Sequence, residues 1–201
     1  MNQIQRNALA YRNLLTTEYY FCLAVNNKGY EVRLRFSKED FHHLEGFGQL
    51  KDLAIHAIDG QRTYEMALLG KITEDNLKCS DYYELNSIQN KIDYLYLLET
   101  ALDHNDMVFK YIKDKSGKIR IEAKFLLFTD LNGDKIYVYI DKAEDRSDFF
   151  CRSFIANPAF DRTNNQKRMT VLWKEKRNLI TGKHLLQYRF KEFSPEQLNK
   201  E

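Results

Sequence analysis

The 201-residue sequence is poor in the residues that mark several protein classes, with 2 prolines, 8 glycines and 3 cysteines. So little Gly and Pro excludes a collagen-like or linker-rich chain. Three widely separated cysteines predict neither a disulfide framework nor a Cys-x-x-Cys zinc site. No run approaches the roughly 18 apolar residues of a membrane span, and the N-terminus lacks the apolar core of a signal peptide. We therefore expect a cytoplasmic protein that makes no membrane contact.

What the sequence does have is typical of a globular chain: 43% hydrophobic residues, including 13 Tyr and 13 Phe. The order of patterns predicts one α+β domain, in which an antiparallel sheet (an N-terminal hairpin plus a C-terminal strand meander) packs one face against a helical block. The predicted parts are a mainly helical part with the hairpin over 1–104, the sheet over 105–193 and a short terminal helix over 194–201.

In the first half, apolar residues at steps of three and four predict a helix over 2–15. A strong turn signal at 26–29 divides a β-hairpin spanning 17–36. Ser37 is a predicted helix cap, because its hydroxyl suits the free amides of a first turn. In the helical block that follows, apolar residues on one stripe predict a long helix over about 84–103.

In the second half of the chain, apolar and polar residues alternate, as they do in β-strands. Ile119 to Leu127 alternates apolar with polar residues after a predicted turn at 115–118. Asn132-Gly133 is the clearest hairpin signal in the chain. Because the connections are short, we expect neighbouring strands to pair antiparallel. Further strands are predicted at about 149–155, 169–176 and 184–191.

The formal net charge of +2 conceals an asymmetry between the two halves. Residues 1–100 carry 11 basic and 14 acidic residues, whereas residues 101–201 carry 20 basic and 15 acidic residues. The segment 162–177 is rich in basic residues and contains a single acidic residue. Such clustering of positive charge attracts phosphate. The alternative is that these side chains only solvate a turn and a strand. The predicted substrate-binding residues are Arg162, Lys167, Arg168 and Lys174.

Phosphate-binding glycine loops, a nucleophile elbow and a His-Glu-x-x-His helix are all missing, so no metal or cofactor is predicted. The most suggestive short segment is Phe41 to Phe47, with adjacent histidines at 42 and 43. Neighbours on a helix point about 100° apart, so we expect one at the apolar boundary and the other in water. A boundary histidine is a candidate acid or base, since its pKa lies near neutrality. The alternative is two ordinary surface or half-buried histidines.

A second candidate segment is the predicted strand from Phe149 to Phe154. Strict alternation places Cys151 and Ser153 on one face and Arg152 on the other. Arg152 suits bidentate binding of a phosphate, and Ser153 suits a hydrogen bond to it. Lys124 lies on the more polar face of its own strand. A strand with a solvated polar pair is the plainer alternative.

These segments, in this order, resemble the phage-associated barnase–EndoU–colicin–RelE-like nuclease domains, in particular their fourth class. The resemblance covers roughly residues 11 to 177. Its carrying segments are Phe36 to Gly46 (Phe-x-x-x-x-Phe-x-His-Leu-x-Gly in outline), Ile119 to Phe128, Lys135 to Ile140, and Arg152-Ser153-Phe154 followed by Asn165-Gln166.

The resemblance implies cleavage of RNA without a metal, through attack of the 2′-hydroxyl, on a small helix-plus-sheet fold. It makes His43 the motif histidine and Ser153 the motif serine, while Lys124 stands where an acidic residue is expected. Arg152 or Lys124 would then stabilise charge on the phosphoryl oxygens. RNA is the expected partner, and an immunity protein or another phage protein stays open as a second one. Two alternatives remain: a non-catalytic RNA- or protein-binding module, and an assembly protein of a mobile element.

Overall fold

A computed structural model describes residues 1–104, 107–113, 121–144 and 147–198 of the chain. Its helices pack against an antiparallel sheet, so the predicted α+β class is confirmed. None of the described helices combines the length and apolar character needed to cross a membrane. In chain order the α-helices are α1 (Gln3–Leu14), α2 (Lys38–Leu44), α3 (Gly60–Leu68), α4 (Glu74–Lys78), α5 (Tyr82–Leu85), α6 (Ile88–Tyr94) and α7 (Leu98–Asp103).

The described strands form one sheet in which every ladder is antiparallel. Their spatial order is β2-β1-β7-β3-β4-β5-β6, with β8 paired to β7. The strands are β1 (Thr17–Val25), β2 (Lys28–Leu34), β3 (Met107–Lys110), β4 (Phe125–Leu131), β5 (Asp134–Asp141), β6 (Phe150–Ala156), β7 (Lys167–Asn178) and β8 (His184–Arg189).

Both predicted hairpins form at the turn residues that the sequence indicates. Asn26 and Asn27 connect β1 to β2 with φ of 51° and 58°. Asn132 and Gly133 connect β4 to β5 with φ of 56° and 101°. Positive φ at both central residues is the signature of a two-residue turn whose twist matches the strands that it joins.

The predicted meander is interrupted by β7, which does not lie beside β6. It inserts between β1 and β3, and thereby joins the N-terminal hairpin to the C-terminal strands. The chain reaches it through segment 157–166, which leaves the end of β6. Sequence alternation identifies strands, but it does not specify which strands become neighbours.

The two outer ends of the sheet meet at the start of β6. Arg35 N–H donates to the Phe149 carbonyl at 3.0 Å, and Phe149 N–H donates to the Arg33 carbonyl at 2.8 Å. These bonds curl the sheet towards a barrel, and they bring the first residues of α2 next to β6.

The helical block is more fragmented than predicted. The expected helix over 84–103 is broken at Ser87, whose φ of 52° is incompatible with a helix interior. It is broken again at Leu95–Leu97, a 3-10 turn between α6 and α7. Most of the apolar stripe is nonetheless buried, from Ile88 to Leu102, whereas Leu85 at its start is 78% exposed.

The predicted strand over 119–127 begins later than expected. Residues 121–124 precede β4, which starts at Phe125. Residues 119 and 120, and the predicted turn at 115–118, lie outside the described residues. The terminal helix is a 3-10 turn at Pro195–Gln197.

The sheet has apolar residues on both faces. Its inner face packs against the helices through residues such as Phe125, Val138 and Phe154. Its outer face carries a second cluster of mostly aromatic residues, of which Tyr137 and Tyr139 are fully buried.

Candidate active-site residues

The two adjacent histidines, His42 and His43, lie on α2, which begins directly after Ser37 as predicted. The Asp40 carboxylate accepts a hydrogen bond from the Ser37 backbone N–H at 3.1 Å, which stabilises the first turn. Phe41 and Leu44 are fully buried and fix the inner side of the helix. This anchoring determines where both histidines point.

His43 is half-buried and contacts β6. Its Nε2 lies 2.9 Å from the carbonyl oxygen of Cys151. A carbonyl oxygen only accepts, so Nε2 carries the proton, and in the neutral ring Nδ1 is the basic atom. Burial lowers the pKa of His43 below its ordinary value of 6.5, and the nearby positive charges of Lys91 and Arg152 act in the same direction. The ring is therefore neutral at pH 7 and able to accept a proton.

His42 is also half-buried, so the expectation that one histidine would lie in water is wrong. Its Nε2 lies 3.0 Å from the Ile55 carbonyl oxygen, and its ring packs edge-on against Phe47. This contact is internal to the helical block, away from β6. Of the two histidines, His43 is the one that touches the sheet.

The outer edge of β6 faces helices instead of another strand over residues 151–156. Lys91 Nζ donates to the Phe154 carbonyl at 3.3 Å, and the Asn90 side-chain oxygen accepts from the Ala156 N–H at 3.4 Å. Together with His43, side chains of α2 and α6 thus bind the backbone groups that an edge strand leaves unpaired. We call this row the β6 edge.

Arg152 and Ser153 lie in the middle of the β6 edge, but not on the predicted faces. Tyr139 pairs with Ser153 and Ile140 with Cys151, so Arg152 is the extra residue of a β-bulge. Cys151 consequently faces the inner core, whereas Ser153 lies beside Tyr139 on the outer face. Strict alternation had placed Cys151 and Ser153 together. Arg152 is exposed, next to the peptide that His43 contacts.

Lys124 is exposed just before β4. Its backbone N–H donates to the Ile140 carbonyl at 2.9 Å, and Ile140 is the partner of Cys151. Two strand spacings, about 10 Å of backbone, therefore separate Lys124 from the carbonyl that His43 contacts. A lysine side chain is long enough to cover much of that distance.

A buried polar group lies behind the β6 edge. Asn7 donates to Glu45 Oε1 at 2.8 Å, whereas the second oxygen of Glu45 has no hydrogen-bond partner among the described residues. Burial raises the pKa of Glu45 to about 8. Burial also lowers the pKa of Lys91 and raises that of the Cys151 thiol well above its usual range. Burial thus disfavours the charged form of each of these three groups, and no sequence pattern indicated this cluster.

The predicted substrate-binding residues do not form one patch. Arg162 lines a cavity beside the β6 edge. Lys167 and Arg168 are exposed at the start of β7. Lys174 is only 4% exposed, and its ammonium group donates to the Leu102 and Asp103 carbonyls at the end of α7. It therefore anchors the end of α7.

A charged network on the outer face of β1, β7 and β8 was not found from the sequence. His184 Nδ1 lies 2.6 Å from Glu175, which also binds Arg177 at 3.0 Å. Burial alone would raise the pKa of Glu175, but hydrogen bonds from Arg177 and Trp173 hold it below its usual range. Alternation in each strand was visible in the sequence, whereas the pairing of β7 with both β1 and β8 was not.

None of the described residues forms a group of three or more His, Cys, Asp or Glu side chains suited to a metal ion. The described polar groups at the β6 edge are instead suited to moving protons and binding anions.

Comparison with known proteins gives a family match. Residues 3–191, nearly the whole chain, match the family model described as phage-Barnase-EndoU-ColicinE5/D-RelE like nuclease4. No curated protein and no solved structure gives a significant match.

Proposed function

Because the chain belongs to the phage-Barnase-EndoU-ColicinE5/D-RelE like nuclease4 family, we propose that it is a metal-independent endoribonuclease whose reaction centre is the β6 edge at His43. The observation that carries this proposal is the 2.9 Å contact of His43 Nε2 with the Cys151 carbonyl. It holds a neutral imidazole next to exposed Arg152, and the basic Nδ1 atom has no hydrogen-bond partner among the described residues.

RNA suits this centre because it brings its own nucleophile, the 2′-hydroxyl. His43 Nδ1 accepts the 2′-hydroxyl proton as the 2′-oxygen attacks phosphorus. The bond from phosphorus to the 5′-oxygen breaks, and that oxygen takes a proton from water. The products are a 2′,3′-cyclic phosphate and a free 5′-hydroxyl. No electron transfer or second substrate is involved.

The other residues of the centre act on charge and position. The Arg152 guanidinium stabilises the negative charge that develops on the phosphoryl oxygens. Ser153 donates a hydrogen bond that orients the phosphate, and Lys124 adds a second positive charge from across β5. Lys167 and Arg168 attract the strand through its backbone phosphates.

A second centre for the same reaction is favoured by the contact of His184 with Glu175 at 2.6 Å. A carboxylate, an imidazole and Arg177 there could also move a proton and bind a phosphate. Its polar groups already bind one another, however, whereas Nδ1 of His43 has no hydrogen-bond partner in the part of the chain that the structure describes. We therefore propose the β6 edge as the centre, and variants of the two histidines distinguish the sites.

The experiment is cleavage of end-labelled single-stranded RNA by the purified chain in excess EDTA, between about pH 5 and 9. We expect products that end in a 2′,3′-cyclic phosphate, and no cleavage at a position carrying a single 2′-deoxy substitution. Products that end in a 3′-hydroxyl, or activity only when a divalent metal is supplied, would contradict the proposal. Salt-dependent binding with no cleavage would favour the alternative, a non-catalytic RNA-binding module.

A further inference from the structure

A cavity of about 420 Å³ opens at the β6 edge, beyond Ser153. One wall is the start of α6, with Asn90 and Lys91, and the opposite wall is the segment that carries Phe160 and Arg162. Residues in a strand rise about 3.3 Å each, so Ser153 is about 7 Å along β6 from the residue that His43 contacts. The cavity is therefore adjacent to the proposed reaction centre and has a volume typical of small-ligand pockets.

Polar groups of this cavity are left without partners. Among the described residues the side chains of Gln49 and Ser153 form no hydrogen bond, and Asn90 uses only its oxygen. The Nε atom of Arg162 is buried and has no partner in the described part of the chain. Buried donors without partners are costly, and a ligand that accepts from them would remove this cost.

The cavity also offers an aromatic surface. The guanidinium of Arg162 lies 3.9 Å from the ring centre of Phe160. Phe160 remains 46% exposed, so part of its ring is accessible. An aromatic ring backed by an arginine is a platform on which a nucleobase stacks.

We propose that this cavity binds the base of one unpaired nucleotide of the RNA substrate. The base stacks on Phe160, amides such as Gln49 and Asn90 bind its edge, and its phosphate lies towards Ser153 and Arg152. A base inside a duplex is already paired and stacked, so the cavity selects single-stranded or looped RNA. This inference rests on the proposed function, since it assigns the substrate class of the same centre.

The test is equilibrium binding of a single-stranded oligonucleotide that contains 2-aminopurine and is 2′-O-methylated throughout, so that it cannot be cleaved by 2′-hydroxyl attack. Stacking quenches 2-aminopurine fluorescence. The Phe160→Ala variant removes the platform, and Leu185→Ala is the matched control because Leu185 is an apolar residue of β8 that is 60% exposed. We expect quenching with the wild type and the control, and about tenfold weaker binding with Phe160→Ala. The same oligonucleotide in a duplex should bind at least tenfold more weakly than the single strand.

Equal affinity of wild type and Phe160→Ala, equal binding of single strand and duplex, or no binding by the wild type would each overturn the inference. The result is independent of catalysis. A chain that binds the oligonucleotide through Phe160 but cleaves no RNA contradicts the proposed function alone. A chain that cleaves RNA while Phe160→Ala binds normally contradicts this inference alone.

Discussion

His43 Nε2 lies 2.9 Å from the Cys151 carbonyl oxygen, and this hydrogen bond connects α2 to the bulged strand that carries Arg152 and Ser153. The β-bulge at Arg152 sets the direction of the side chains in this strand. It buries Cys151 in the core, leaves Arg152 exposed and turns Ser153 to the outer face. His43 of α2 therefore contacts the same strand edge that carries Arg152 and Ser153.

The pH dependence of cleavage should follow the protonation of His43. The proposed role requires the neutral ring, so kcat/KM rises with pH as His43 loses its proton. Because burial lowers the pKa of His43, the midpoint of this rise lies below the ordinary histidine value of 6.5. The measurement is a pH–rate profile in EDTA at constant ionic strength. A profile that first rises well above pH 7 would contradict the assignment of His43 as the base.

Replacing Arg152 should affect the chemical step more than folding. It is exposed, so Arg152→Ala should change stability by no more than about 0.5 kcal/mol. Loss of charge stabilisation should lower kcat about 100-fold, and Arg152→Lys should recover part of it. Arg62→Ala, an exposed arginine on α3, is the matched control. A loss confined to KM would assign Arg152 to substrate binding only.

Glu45 should make the fold less stable as the solution becomes more alkaline. Its folded-state pKa is raised to about 8, above the usual unfolded value of about 4.3. The folded state thus holds a proton that the unfolded state has lost, and its stability falls between these two values. The slope is at most about 1.4 kcal/mol per pH unit.

Glu45→Gln should remove this slope while retaining the acceptor for Asn7. Urea unfolding of wild type and variant at pH 5, 6, 7 and 8 measures it. We expect the free energy of unfolding of the wild type to fall relative to that of the variant with each step in pH. Equal changes of the free energy of unfolding with pH in both proteins would refute this expectation.

Replacing Lys174 should lower the stability of the fold, whereas replacing Lys167 should weaken RNA binding, although both residues were predicted to bind substrate. Lys174→Met leaves the carbonyls at the end of α7 without their donor, which should cost about 1–3 kcal/mol in urea unfolding. Lys167→Ala should leave stability unchanged and reduce the salt slope of RNA binding by about one. If Lys174→Met proved as stable as wild type, the anchoring role would be wrong.

Local features of the fold were predictable because they depend on local chemistry. The two asparagine-containing turns, the start of α2 after Ser37 and the terminal turn at Ser194 follow from side chains and backbone conformations within a few residues. The order of strands does not, since the place of β7 between β1 and β3 depends on distant packing.

In the candidate site, too, the features that depend on local sequence were predictable and those that depend on distant packing were not. The pair His42 and His43 was singled out by its position beside Phe41 and Leu44, a local periodicity, and the family resemblance selected His43 from the pair. The bulge at Arg152 was missed because alternation assumes one residue per pleat. The contacts of Lys91 and Asn90 with β6, and of His184 with Glu175, join residues far apart in sequence, so no spacing rule could indicate them.

The central claim is that RNA cleavage depends on His43 at the β6 edge, and single-turnover cleavage of labelled RNA in EDTA tests it most directly. His43→Gln is the informative variant, because glutamine can still donate to the Cys151 carbonyl but cannot accept a proton between pH 5 and 9. His42→Gln and His184→Gln are the matched controls. We predict a rate at least about 100-fold below wild type for His43→Gln, with both controls within about threefold of wild type. A His43→Gln protein that cleaves at the wild-type rate, or a comparable loss in His184→Gln alone, would contradict the account.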